Sequence, residues 1–385
     1  MEKQESILVI GDIDSIWVRD FIHFVLLPLG YKVSVVKEEN CKCKFEDFYL
    51  KNNVNIIDNS KKNKLLLRLP IIRRFYLKNI FKYRCKKKFT KVFTIYTTAM
   101  SLILAKTVVC TEGEIFSVFI GSDLLRTNRR AVCLLKQQLE GSNIIPVCVS
   151  ENVKERLVEI QKKFEKCKII DFGNAQLPQI DTALEKGKIY NKQHWKLDPN
   201  KFSVGIGYNG LTSQQHIRVI QALGKLEPKE KDKIVIFLQL MYGCNDEYIR
   251  KIKDAIIESG IECVYVTKFL EPDEIASLRV ATDIFLNVQT TDALSASLLE
   301  HIYAGSIVIC GKWLEYPKLR EWKITLDEVE KIDDIPNALE KIIQFSKVGV
   351  EVGDNKDILR KYASWDKCMM RWKEVIEEKM ESVRI

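Results

Sequence analysis

The stretch Asp283–Gly311, DIFLNVQTTDALSASLLEHIYAGSIVICG, decides how the rest of the chain is read. Ile284–Val288 is a short apolar run with strand character, and Leu298, Leu299 and Ile302 recur at helical spacing on one face. Ser295 or Ser297 suits the N-cap of that helix, and Gly305 suits its end. Ile307, Val308 and Ile309 then form the next buried strand. The unit is strand, loop, helix, strand, the repeating piece of a parallel α/β sheet. In such sheets ligands bind in loops at the carboxyl ends of strands. Two carboxylates mark this loop and helix: Asp292, and Glu300 eight positions on, turned away from the leucines.

Upstream, KFSVGI reads as a strand, followed by a glycine turn and a helix, LTSQQHIRVIQAL. Gly205-Ile206-Gly207-Tyr208-Asn209-Gly210 is a literal G-x-G-x-x-G between them. The next strand, Ile234–Leu240, ends in Gln239-Leu240-Met241-Tyr242, with no acid for the ribose of a dinucleotide. A glycine turn at a helix N-terminus still offers phosphate its bare amides and the helix dipole. Lys268-Phe269-Leu270 follows another strand, ECVYV, and Glu271-Pro272-Asp273-Glu274 then opens a helix with acids in its first turn.

The N-terminal half begins the same way. Ser6–Ile10 is a buried strand, Gly11-Asp12 a turn, Ile16–Leu29 a helix capped by Ser15, and Lys32–Val36 a second strand. Gly11 either allows a ligand close to the backbone or simply makes a tight turn. Val118–Ile120 runs into Gly121-Ser122-Asp123, with Arg126, Arg129 and Arg130 nearby. Asp123 reads either as a helix cap or as a polar group on a binding edge, where the arginines would meet phosphate. Asn174–Asn200 is polar, carries Pro178 and Pro199 and has no strong period, so it reads as a boundary between domains. Tyr362, Trp365, Met369 and Trp372 make an aromatic stripe at helical spacing, read as packing.

A chain of 385 residues makes two domains, each able to bury a core. At 46% hydrophobic and 29% charged, the chain is neither disordered nor membrane-spanning. The longest uncharged run, Val92–Ala105, is too short to span a bilayer, and the opening MEKQES is no signal peptide. Eleven cysteines without a C-x-x-C pair, and four histidines, argue against a metal site and for reduced cytosolic thiols.

Residues 61–91 hold thirteen Lys and Arg and no acid, in a chain of net charge +9, so the remainder is net negative. Within the patch Arg73, Arg74, Lys78, Lys82, Arg84, Lys86, Lys87 and Lys88 alternate with Leu, Ile, Phe and Tyr. A basic amphipathic segment of this kind suits an anionic membrane surface. No helix-turn-helix, zinc-finger or RNA-recognition pattern accompanies it, so nucleic acid is not expected. A solvated basic helix without a partner is the plain alternative.

The segment around Asp292 and Glu300 resembles the donor-site signature of retaining glycosyltransferases with the GT-B fold, the large bacterial group related to sucrose and glycogen synthases. Asp292 stands where their first Glu is usual and Ser295 where Gly is usual, while Glu300 and His301-Ile302-Tyr303-Ala304-Gly305 fit the pattern. The resemblance implies an α/β fold of two Rossmann-like domains facing a central cleft. Residues 1–180 would form the acceptor domain, with 356–385 packing back on it; 181–200 the linker; and 201–355 the donor domain. It implies a nucleotide-sugar donor held by Gly207, Asn209, Gly210, His216, Lys268, Leu270, Leu294, Ser295, Ala296 and Glu300. Asp292 and Glu300 would be the catalytic carboxylates, with Gly11, Asp12, Gly121, Asp123 and Arg126 on the acceptor side. Transfer would go with retention, without metal or cofactor, to a lipid-linked acceptor or surface-polysaccharide precursor. The protein would sit on the inner face of the cytoplasmic membrane.

One departure stands out. The family's Arg and Lys after the first donor-domain strand fall on Asn209 and Gln214, so donor charge must be met by amides, His216, Lys268 or Lys312. Two other classes stay open. A docking protein with a degenerate GT-B body fits the missing cations, and an NAD-dependent enzyme fits the glycine turn.

Overall fold

The computed structural model describes residues 5–38, 41–60, 70–140, 143–345 and 355–378. The first part of the basic stretch, 61–69, and the chain ends 1–4 and 379–385 lie outside the described residues. The chain divides into two compact units, Met1–Gly173 with Trp365–Ile385, and Asn174–Ser364.

The first unit is built on a seven-stranded parallel sheet in the order β3-β2-β1-β4-β5-β6-β7. Its strands are β1 (Ser6–Ile10), β2 (Lys32–Lys37), β3 (Asn55–Asp58), β4 (Phe89–Ile95), β5 (Val109–Phe119), β6 (Ile144–Cys148) and β7 (Lys168–Ile169). The central strands are apolar without alternation because both faces are covered; Ile7, Leu8 and Val9 are fully buried. The order reverses between β1 and β4, where Ile7 pairs with Lys91 and Ile10 with Thr94. Helix α1 (Ile16–Phe21) starts at Ser15, whose hydroxyl accepts the Trp17 N–H at 3.2 Å. Helix α2 (Pro70–Arg84) turns Leu77 and Phe81 inward. The C-terminal helix, Trp365–Glu377, belongs to this unit. Trp372 is buried there, 4.8 Å from the Phe21 ring and 5.6 Å from Phe172, and its indole N–H donates to the Asp171 carbonyl at 3.0 Å. Trp365 and Trp372 of the aromatic stripe are core here, whereas Tyr362 lies in the second unit and stacks on Trp322.

The second unit carries a six-stranded parallel sheet in the order β10-β9-β8-β11-β12-β13. The strands are β8 (Phe202–Ile206), β9 (Ile234–Gln239), β10 (Cys263–Val266), β11 (Ile284–Asn287), β12 (Ile307–Gly311) and β13 (Asp327–Val329). The order reverses between β8 and β11, the two strands flagged by the glycine turn and the Asp292 loop. The stretch expected to be an irregular linker is helical instead: α3 (Leu177–Lys186) and α4 (Lys188–His194) lie inside this unit. Leu177, Ile180 and Ala183 bury one face of α3 at three-residue spacing, and Pro178 sits in its first turn, where its missing N–H costs little. The remaining helices around the site are α5 (His216–Leu223), α6 (Pro272–Ala281), α7 (Ala296–Tyr303) and α8 (Asn355–Ala363). All eleven cysteines are free thiols.

Candidate functional site

The site grows from the point where the second sheet reverses. Gly207, the residue after β8, is at φ +63°, which lets the chain turn under the edge of the sheet. A β-carbon on Gly207 would lie 2.5 Å from Gln214 Oε1, so only glycine fits. Asn209 is buried, and its side-chain oxygen accepts the Leu211 N–H at 2.9 Å; the Gly210 N–H donates to the Tyr242 carbonyl at 2.7 Å. The turn is thereby fixed, and α5 begins just beyond it.

The loop after β11 is stitched to this turn. The Gly207 N–H donates to the Leu286 carbonyl at 3.2 Å, and the Thr290 N–H to the Ser213 carbonyl at 2.9 Å. The Gln215 amide reaches the Val288 carbonyl at 2.6 Å. A chain of buried neutral groups runs beneath. Gln214 donates to Gln289 (3.0 Å), Gln289 to Asn287 (3.3 Å), Asn287 to the Tyr316 hydroxyl (2.7 Å), and Tyr316 to Asp292 (2.7 Å). Each such bond is worth about 1 kcal/mol, but a broken one leaves a buried polar group unpaired at higher cost. This explains the departures at Asn209 and Gln214: both shape the turn, and neither adds charge.

Asp292 is also held from the far side by the Ser295 N–H at 3.0 Å. Burial pushes its carboxyl up, against the hydrogen bonds from Ser295, Tyr316 and the Ala293 backbone. Between them Leu294 is forced to φ +70°, an uncommon conformation for a branched side chain, which marks the loop as constrained. Ser295 is the N-cap of α7, yet its hydroxyl makes no side-chain capping bond. The Ser297 hydroxyl in the first turn of α7 and the Ser213 hydroxyl in the short 3-10 turn before α5 are buried and make no hydrogen bond within the protein. Ala296 is the first residue of α7.

Glu300 lies one turn further in. Its Oε2 accepts the Arg279 Nε at 2.9 Å, and its Oε1 the Asn174 amide at 3.3 Å. Arg279 also donates to Gln239 at 2.9 Å, and both members of the ion pair are buried. Arg279, Asn174, Gln239, Gln289 and Tyr316 are the residues that sequence reasoning missed. Arg279 sits in RVAT, inside a helix with no motif, and only its place at the buried end of α6 reveals it.

Several expected residues stand elsewhere. His216 is buried, and burial lowers its pKa to about 4 despite the Asn209 backbone beside it. It is therefore neutral near pH 7 and supplies no positive charge to a donor. Leu270 is core, packed with Phe237 and Val266. Lys268 and Lys312 are exposed in surface ion pairs with Glu274 and Glu330.

On the carboxyl edge of the first sheet, Gly11 is required by packing: a β-carbon would come within 2.9 Å of Val18 and 3.1 Å of the Ile95 carbonyl. Asp12 is exposed, and its carboxylate accepts the Asp14 N–H at 3.0 Å. Asp123, expected on the acceptor side, is a buried staple instead. It accepts the N–H groups of Gly121 (2.8 Å), Ile120 (3.1 Å) and Thr97 (3.1 Å), which ties two turns together and removes it from solvent. Gly121 itself is at φ +145°, and Arg126 is exposed after the short helix that follows.

In the basic helix α2 and just beyond it, Arg73, Arg74, Lys78, Lys82 and Lys86 are exposed. Arg84 instead bonds Asn59 (3.4 Å), Lys87 bonds Ser6 (2.6 Å), and Lys88 bonds the Thr107 carbonyl (2.6 Å). Phe75 and Tyr83 stand on the same helix, 70% and 76% exposed.

No family model matches the sequence, and no curated protein matches it. Solved structures do match over almost the whole chain. A glycosyltransferase from Rickettsia africae superposes with a TM-score of 0.70 at 14% identity, covering 98% of this chain and 100% of its own. HepE of Anabaena, in complex with UDP and glucose, gives 0.70 at 13% identity, with 98% and 100% covered. WaaG, a glycosyltransferase of lipopolysaccharide biosynthesis, gives 0.64 at 13% identity, with 97% and 100% covered. Two parallel sheets with the reversals at β1/β4 and β8/β11, matched end to end by these structures, give this chain the GT-B fold.

Proposed function

We propose that the chain is a glycosyltransferase that transfers a sugar from a nucleotide-sugar donor held on the carboxyl edge of the second unit. The observation that carries this is the pair of buried hydroxyls of Ser213 and Ser297 without a protein partner, one in the turn that leads into α5 and one in the first turn of α7. Helix N-termini attract phosphate through their amides and dipole, and the hydroxyls add donors in a region from which water is largely excluded. Glu300, oriented by Arg279 and Asn174, retains acceptor capacity for ribose hydroxyls, and the Asp292 loop faces the sugar. Amides of the Ser295–Ala296 turn stabilise the leaving diphosphate as charge develops on it. The UDP-bound HepE structures support a nucleotide donor on this fold.

Transfer is expected to retain the anomeric configuration and to need no metal. The test is incubation with nucleotide sugars in EDTA, the released or transferred sugar being followed by NMR. An α-linked donor should give an α-anomer first. A β-anomer, or activity only with added divalent cation, would overturn those two parts.

The acceptor is proposed to be lipid-linked or a surface-polysaccharide precursor, reached from the cytoplasmic face of a membrane on which α2 rests. No helix among the described residues is long and apolar enough to cross a membrane. Only the glycine turn favours the NAD-dependent reading, and β9 opposes it: the strand ends in Gln239, already bonded to Arg279, where a ribose carboxylate would be needed.

A further inference from the structure

We propose that Tyr96 is the platform on which a saccharide acceptor lays a pyranose ring, on the carboxyl edge of the first unit's sheet. This rests on the glycosyltransferase reading and names the chemistry of its second substrate. Tyr96 follows β4 directly, at the point where the strand order reverses beside β1. Such reversals open a crevice beyond the strand ends. The Tyr96 backbone is left-handed, φ +63°, a conformation that a bulky side chain adopts at a cost and that glycine adopts freely. Burial does not offset that cost, because the residue is 46% exposed. The surroundings impose it. Thr97, the next residue, is buried; its N–H goes to Asp123, and its hydroxyl lies 2.9 Å from the Thr94 carbonyl and 3.0 Å from that of Val118. The Tyr96 hydroxyl lies 2.9 Å from Ser122 Oγ, which fixes the ring's direction. On the other side the Gly11 turn lies against the Ile95 carbonyl, so Asp12 borders the same edge.

A strained residue that presents a fixed aromatic face to solvent is the form that a binding surface takes. The ring offers a flat apolar face, and Ser122 offers a polar partner at its rim. A pyranose matches both, with one apolar face and a rim of hydroxyls. A lipid chain laid there would desolvate the paired Tyr96 and Ser122 hydroxyls with no further bond to offer them. The sugar of the acceptor, rather than its lipid, is assigned to this edge.

The test is saturation-transfer NMR on the full chain with UDP and a panel of methyl hexopyranosides, using the native protein, Tyr96→Gly and Tyr96→Phe. Glycine suits this backbone, so Tyr96→Gly should melt no lower than the native protein. At least one pyranoside should receive saturation from the native protein and from Tyr96→Phe. Tyr96→Gly should bind it about tenfold more weakly or worse, the scale of one aromatic contact. Undiminished pyranoside binding by Tyr96→Gly would overturn the platform, as would a melting point several degrees lower. Binding of no pyranoside by the native protein would also overturn it. The UDP-induced rise in melting temperature is read on the same samples. Its presence in both native protein and Tyr96→Gly supports the donor site independently, whereas its absence from the native protein counts against the donor reading and leaves the pyranoside result to stand alone.

Discussion

Arg279 is the residue on which the proposed donor site turns. It neutralises Glu300 in a region closed to water and fixes both its own guanidinium and the Gln239 amide beneath the glycine turn. Removing one partner of a buried pair leaves the other charge unpaired, at a cost of about 3–5 kcal/mol. Arg279→Met should lower stability by that amount in urea unfolding, while Arg279→Met with Glu300→Leu should recover much of it. Equal losses in the single and double variants would contradict the pairing. Asp123 makes a second residue-scale prediction. Burial pushes its carboxyl up to about 6, against the bonds of three N–H groups, so the fold holds this proton more tightly than the unfolded chain does. The stability from that protonation is complete below the ordinary carboxylate range and is lost as pH rises through about 6. Between about pH 4 and 6.5 the native protein should lose on the order of 2 kcal/mol relative to Asp123→Asn, as measured by urea melts at both pH values. Parallel pH dependence of the two proteins would contradict it.

Among the elements, strands β1, β8, β9, β11 and β12 were legible because buried parallel strands are short, mostly apolar runs without polar alternation. Helix α7 was legible from its leucines and its Gly305 stop. β3 and β13 were not, because edge strands of three or four residues carry polar positions that read as loop. The α3–α4 pair was hidden by its polar outer face and Pro178. At the site, Asp292 and Glu300 could be found from spacing, but their partners Tyr316 and Arg279 come from other elements, and only the fold brings them together. Helix α2 carries the element-scale prediction. Exposed Arg73, Arg74, Lys78, Lys82 and Lys86, with Phe75 and Tyr83 outward among them, suit an anionic interface: each cation adds about 1 kcal/mol near the surface, and the rings enter the headgroup layer. Such attraction is screened over about 8 Å at physiological salt. The native protein should co-sediment with anionic vesicles and release as salt rises. Replacing those five cations with Gln should abolish binding without unfolding. Indifference of the native protein to anionic vesicles at low salt would remove the membrane from the account.

At the scale of the whole molecule, the two sheets share one plan, and each puts its turns on the carboxyl edge at a reversal of strand order. Evenly spread charge would not suit the proposed division of labour. The basic excess is concentrated in one stretch of the first unit, while the candidate donor edge of the second is lined by neutral amides, hydroxyls and a compensated ion pair. A protein that only docks would need no such buried, oriented carboxylate. The most direct measurement is calorimetric titration of native protein and Glu300→Gln with a panel of nucleotide sugars, with NAD as the comparison. A hydrogen bond to a charged acceptor is worth roughly 1.5–3 kcal/mol. The account predicts that one nucleotide-sugar class binds the native protein and binds Glu300→Gln about tenfold to a hundredfold more weakly, both proteins being folded. Binding of NAD alone, or equal affinity of both proteins for the nucleotide sugar, would contradict it.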